Sequence, residues 1–142
     1  MSLGKGASSN DGGDLLEMAV VDDLDEVLEQ FQLAQGEFLR GNTEPMKKLF
    51  SHQEDVTLNY PSTPTALGWE QVAATLERAA SINRDGETTS FEIESKHVTS
   101  ELAYVEAIER GKDITPYALR STMFFRPEEG TWKLVHRHAS PI

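Results

Sequence analysis

At 142 residues, 38% hydrophobic and 26% charged, the chain has the size and composition of one soluble globular domain, neither a disordered chain nor one too small to build a core. Its 24 acidic against 13 basic residues give a formal net charge of −11, a surface that repels phosphate backbones and argues against nucleic-acid binding. The lack of cysteine excludes disulfides, thiolate nucleophiles and cysteine-ligated metals, and no apolar run approaches the roughly 18 residues that span a bilayer.

The opening stretch, MSLGKGASSNDGGD, is polar, rich in Gly and Ser, and lacks the apolar core of a secretory signal. Residues 1–13 are therefore expected to be a disordered lead or a cloning remnant, residues 14–142 a single domain, and the location cytoplasmic. Leu24, Val27, Leu28, Phe31, Ala34 and Phe38 then recur at helical spacing, which predicts a long amphipathic helix with one buried stripe. Gly41-Asn42 breaks it. Thr43 is the expected cap of a short second helix, with Pro45 in its first turn and Met46, Leu49 and Phe50 on its apolar side. Val56, Leu58 and Tyr60 alternate with polar residues, a short strand that ends at Pro61. A third helix follows Gly68, with Val72, Leu76 and Ala79 on one side.

The second half is different in kind. Residues 90–99, 102–109, 117–126 and 131–139 read as strands, separated by turns that include Arg110-Gly111-Lys112-Asp113 and PEEG. Helices first and hairpins after argue for an α+β fold, with the helices packed on one face of a curved antiparallel sheet.

Taken together, HQEDVTLNYPS leading to ALGWEQVAATLERAA, then ELAYVEAIERG and YALRSTMFFRPEEGTWKLVHRHASPI, resemble the NTF2-like superfamily, in particular its SnoaL-like and ketosteroid isomerase-like branch. The segment LRSTMFFRPEEGTWKLVHRHAS is also similar to the end of the association domain of calmodulin-dependent kinase II, which shares the fold. The resemblance covers most of the chain from about residue 22. It implies a cystatin-like, cone-shaped barrel whose helices and bent sheet enclose one deep pocket for a small-molecule ligand. It also implies a homodimer through the outer sheet face. It implies no metal, and no cofactor is expected.

Strand arithmetic assigns residues to that pocket. A hairpin turning about Asp113 sets Glu106 opposite Arg120, with Tyr104 and Ile108 on the same face. A hairpin turning about Glu129 sets Arg120 opposite His138, Thr122 opposite His136 and Phe124 opposite Leu134. One face then reads Tyr104, Glu106, Arg120, Thr122, Phe124, Trp132, Leu134, His136 and His138, and is expected to line the pocket. The other reads Val105, Ala107, Leu119, Ser121, Met123, Phe125, Val135, Arg137 and Ala139, and is expected to pack on a helix or a partner chain.

Glu106 and Arg120 are the sharpest pair. Arg120 would hold an anionic or carbonyl group and Glu106 would orient it or act as base; the alternative is a structural ion pair, because buried charges must be paired in any case. The resemblance to the kinase association domain implies that Arg120 faces the cavity. His136 and His138, two apart on one strand, admit three readings: metal ligands with Glu106 or His97 as a third, proton-transfer groups, or hydrogen-bonded imidazoles that finish the sheet. Tyr60 is expected at the pocket mouth as a hydroxyl donor, and Trp69 is either a helix-start anchor or part of that mouth. Tyr104, Thr122, Phe124 and Trp132 complete the expected lining. The direction of His97 stays open, and His52 reads as a surface residue. The ketosteroid isomerase set does not map onto the chain: Asp55 reads as a turn residue, and no Asp sits in the later strands to hold an oxyanion. No phosphate loop, Ser-His-Asp signature or zincin motif occurs. The expected function is a pocket isomerase, cyclase or dehydratase using general acid–base chemistry on a small carbonyl compound, or else a ligand-binding or assembly module without catalysis.

Overall fold

Apolar residues three and four apart form the first element, helix α1 (Asp11–Leu39). The computed structural model describes residues 11–61, 63–82 and 85–142, and side chains from residue 24 onward. Residues 1–10 of the expected lead lie outside the described residues, and the helix already begins at Asp11. The stripe from Leu24 to Phe38 is buried throughout. Removing each such side chain from water contributes about 1.5–3 kcal/mol. The helix stops at Gly41, whose φ of +95° suits a residue without a Cβ. That turn lets the Asn42 N–H reach the Glu37 carbonyl at 2.9 Å and the Gly41 N–H reach the Phe38 carbonyl at 3.0 Å, which satisfies carbonyls the helix leaves open.

Helix α2 (Glu44–Leu49) buries Met46 and Leu49. Thr43 precedes it, but its side chain makes no capping bond; the hydroxyl instead donates to the Glu77 carboxylate at 2.8 Å. This departs from the expected cap, because a carboxylate from helix α3 (Trp69–Ala80) offers a stronger acceptor than the helix start requires. Between α2 and α3 lie two short strands, β1 (Thr57–Asn59) and β2 (Ala66–Leu67). Four long strands follow: β3 (Glu87–Val98), β4 (Ala103–Lys112), β5 (Pro116–Glu128) and β6 (Thr131–Pro141). Among the described residues no helix is long and apolar enough to cross a membrane.

The strands make one six-stranded sheet in the order β2-β1-β6-β5-β4-β3. All neighbours are antiparallel except β1 and β6, which run parallel. The sheet curves around the helices but stays open, with β2 and β3 as its edges. This is the expected α+β, NTF2-like, cystatin-like architecture. Its core joins the α1 stripe, Phe50 and Leu76 to Val105, Ala107, Met123, Phe125, Trp132 and Leu134 of the sheet.

The registers differ from the expected ones by two residues. Glu106 pairs with Thr122 rather than Arg120, Thr122 with His138 rather than His136, and Arg120 with Ser140 rather than His138. Lys112 pairs with Pro116, so the first turn centres on Ile114 and not Asp113. A turn centre displaced by one residue moves every partner by two, an even step that leaves the faces intact. The second hairpin closes tightly through Glu129 and Gly130, both at positive φ (54° and 83°), as a two-residue turn of this hand requires. A bulge does change the faces. Phe124 pairs with His136 but Phe125 with Leu134, so Val135 is the extra residue of β6. Trp132 and Leu134 before the bulge therefore share the helix-facing side with Arg137 and Ala139 after it, and all four are buried.

Candidate functional site

The concave side of the sheet belongs to the row read as packing, and the row read as pocket lining, apart from Trp132 and Leu134, lies on the outer side. Val105, Ala107, Ser121, Met123, Phe125, Arg137 and Ala139 are buried against the helices, whereas Tyr104, Glu106, Thr122, Phe124 and His136 are half-exposed and Arg120 and His138 exposed. Both rows mix apolar and polar residues, so alternation alone did not choose between them. Arg120 does not face a cavity; its nearest carboxylate is Glu94 at 3.6 Å, across exposed side chains. His97, open at the level of sequence, is exposed and stacks on Tyr104 at 4.9 Å. Tyr104 stacks on Phe124 at 5.8 Å, and Phe124 meets the edge of His136 at 5.9 Å. His136 Nδ1 bonds the Thr57 hydroxyl at 2.6 Å, and burial, then the neighbouring His138 charge, holds its pKa below the usual imidazole value. Among the described residues no three His, Asp or Glu groups gather closely enough to hold a metal. Trp69 opens α3 stacked on His52 at 3.9 Å. Trp132 sits in the core beside a groove of about 460 Å³ between α1 and α2.

Tyr60 is where the two readings meet. It lines a cleft of about 590 Å³ between the end of α1, α3, the chain after β1, and the ends of β5 and β6. Phe38, Leu39, Ala79, Ile82 and Leu119 supply apolar walls; Gln35, Tyr60, Asp113, Tyr117 and Arg137 supply the polar groups. Arg137 is fully buried and forks onto Glu109, Nη1 to Oε2 at 2.7 Å and Nη2 to Oε1 at 2.9 Å. The guanidinium is also sandwiched by rings, 4.9 Å from the Phe31 centroid and 5.6 Å from that of Tyr60. Glu109 and Arg137 stand two strands apart and meet across Ser121 of β5, whose small side chain leaves room between them. Burial pushes the Glu109 carboxyl up, but the Arg137 charge and hydrogen bonds outweigh it, and the net shift is down. Tyr117 is shifted up, by burial first and then by the Glu109 charge.

Among the described residues, four buried polar atoms of this region lack a well-formed hydrogen bond: Gln35 Oε1, Tyr60 Oη, Ser121 Oγ and Arg137 Nε. Tyr60 still interacts with Arg137, and Ser121 with Glu109, through looser contacts. Gln35, Tyr60 and Arg137 line the cleft, and a buried polar group left unpaired costs about 1–3 kcal/mol. Gln35, Glu109, Asp113, Tyr117 and Arg137 were missed from sequence as functional residues. The available signal was a pair of opposite charges, Glu109 and Arg137, set into an otherwise apolar alternating row.

The chain matches the SnoaL-like domain family over residues 25–142. A search of curated proteins finds no match. Among solved structures, a candidate dehydratase of the NTF2-like family from Streptomyces avermitilis superposes with a TM-score of 0.73 at 18% identity, covering 87% of this chain and 97% of that one. A candidate calcium/calmodulin-dependent protein kinase type II association domain from Thiobacillus denitrificans gives 0.71 at 18% identity, over 83% and 94% of the two chains. A ketosteroid isomerase-like protein from Erwinia carotovora atroseptica gives 0.62 at 17% identity, over 89% and 95%. At these identities the likeness is one of fold.

Proposed function

Because the chain belongs to the SnoaL-like domain family, we propose that it binds a small, mostly apolar carbonyl compound in this cleft and acts on it as an isomerase, cyclase or dehydratase by general acid–base chemistry. The observation that carries the reading is Arg137, held by Glu109, with Gln35 and Tyr60 beside it in a cleft with apolar walls, where Gln35 Oε1 and Arg137 Nε lack well-formed hydrogen bonds. In this reading the Tyr60 hydroxyl, next to Arg137, donates to the ligand's carbonyl oxygen. Tyr117 stands beside it, and Arg137 supplies the positive potential that favours charge developing on that oxygen. Asp113 lines the same cleft and serves as the base that removes a proton next to the carbonyl. Glu109 is a poor base, since Arg137 occupies both of its oxygens; its part is to hold Arg137 in place. The pair is neutral as a unit, which suits a neutral ligand that becomes anionic only during reaction.

Deuterium exchange at the α-carbon of neutral ketones, followed by NMR in D2O, tests this. The protein should accelerate exchange for some member of a panel, and Asp113→Asn should reduce the rate by about 100-fold or more while Tyr60→Phe weakens it less. Binding without exchange would favour the ligand-binding module over the enzyme. Exchange undiminished in Asp113→Asn would remove Asp113 from its role.

A homodimer through the outer sheet face belongs to the same reading. The supporting observation is a row of half-exposed rings, Tyr104, Phe124 and His136, with the exposed His97 at its end. Light scattering should report twice the chain mass, and Phe124→Glu should halve it; a monomeric wild-type protein at micromolar concentration would refute the dimer.

A further inference from the structure

Behind the cleft lies a second, smaller cavity of about 110 Å³ between α1 and strands β3 and β4, with Glu109, Gln32 and the hydroxyl-bearing Thr88, Thr89 and Ser90 on its walls. Gln35 and Tyr117 line both cavities. Tyr117 reaches this position because its cross-strand partner is Gly111. A Cβ at residue 111 would stand 2.5 Å from the Tyr117 hydroxyl oxygen and 2.7 Å from Cζ, so the ring lies over the bare backbone of β4 where any other residue would put a side chain. Gln35 of α1 lies beside Tyr117 on the wall shared by the two cavities. The β3 bulge at Thr89, between the pairs Thr88–Gly111 and Ser90–Arg110, lies against the same glycine and shapes the far wall.

We propose that Tyr117, seated on Gly111, is the specificity-determining wall of the cleft: it separates the ligand site from the polar cavity behind it and sets how long an apolar ligand can be. The ring is the right partition, with an apolar body toward the cleft and a polar tip toward the hydroxyl-lined side. This inference rests on the reading of the cleft as a site for neutral carbonyl compounds.

The test is displacement of Nile red by methyl ketones whose alkyl chains run from pentyl to dodecyl. Each methylene that finds apolar room raises affinity about fourfold. In the wild-type protein that gain should stop at a definite length. In Tyr117→Ala it should continue for roughly three further methylenes, because the space of the ring and the ~110 Å³ behind it become one with the cleft. Tyr117→Phe keeps the ring and should keep the wild-type limit. Circular dichroism and thermal melting check the fold of each variant, and Tyr117→Leu replaces the alanine variant if that one does not fold. A limit unchanged in the alanine or leucine variant, with short ketones still bound, overturns the wall and leaves the cleft reading standing. Failure of the wild-type protein to bind any of the series overturns both.

Discussion

Replacing Glu109 by Gln probes the buried pair directly. Arg137 is 0% exposed, and among the described residues Glu109 is its one charged partner, through bonds of 2.7 and 2.9 Å. The amide removes the negative charge and turns one acceptor into a donor facing a donor. Arg137 Nε already lacks a well-formed hydrogen bond, and the neighbouring Phe31 and Tyr60 rings offer a guanidinium less than a carboxylate does. Breaking a buried pair from one side costs about 3–5 kcal/mol, a fifth or more of the roughly 5–15 kcal/mol that holds a domain folded. With a urea m-value of about 1–3 kcal/mol/M, the unfolding midpoint at pH 7 should fall by roughly 1–5 M with the slope unchanged. Replacing both residues, Glu109→Leu with Arg137→Met, should cost far less than the single change, because no charge is left buried. The pH dependence follows from the downward shift of Glu109. Its folded pKa lies below the unfolded one, so its stabilisation is complete above about 4.5, the ordinary carboxyl value, and is lost as pH falls through the folded pKa. The gap between wild type and Glu109→Gln should therefore narrow in acid. A single variant that costs under about 1 kcal/mol, or a double variant as costly as the single one, would refute this account of the pair.

Two further outcomes are expected. Gly111→Ala should destabilise by about 1–3 kcal/mol in the same urea assay, since its Cβ would meet the Glu87 carbonyl oxygen at 2.6 Å as well as Tyr117. Adding Tyr117→Phe should recover only part of that loss, and full recovery would show that the β3 backbone contact is harmless. His136 should titrate below 6.5 by NMR; with its folded pKa depressed, its contribution to stability is present above the unfolded pKa and lost as pH falls through the folded one. A midpoint at or above 6.5 would contradict the burial assigned to that ring.

The helices were readable because burial imposes one period on them. Leu24 to Phe38 repeats at three and four residues, Gly41 stops the pattern, and the structure follows both. The strands were readable as strands, and even their faces survived a misplaced turn, since a turn centred on Ile114 rather than Asp113 shifts partners by an even number. Two things were not local enough to read. Val135 is an ordinary strand residue, and nothing in its identity announces that it is the bulge that sends Trp132 inward with Arg137. The inside of the sheet was misassigned because both rows carry charged residues, and Arg137 is buried only because Glu109, 28 residues earlier, meets it. Tyr60, just after β1 and before Pro61, sits at the rim of the sheet and lines the cleft.

The parallel pairing of β1 with β6 has a kinetic meaning. Thr57 and His136, bonded side by side in the finished sheet, are 79 residues apart in the chain. At synthesis rates of about 5–20 residues per second, β1 emerges from the ribosome roughly 4–16 s before the strand that must hold it. During that interval the β2-β1 ribbon, with Val56, Leu58 and Ala66, has no sheet to join, and Phe50 lacks the Leu134 backbone it later bridges. Closure of the sheet on β6 thus comes late: α1 can meet α2 and β3 earlier, but the β1–β6 and α1–β6 contacts wait for the last strand. The domain's exposure to chaperones, proteases and its own neighbours is timed by the arrival of one strand.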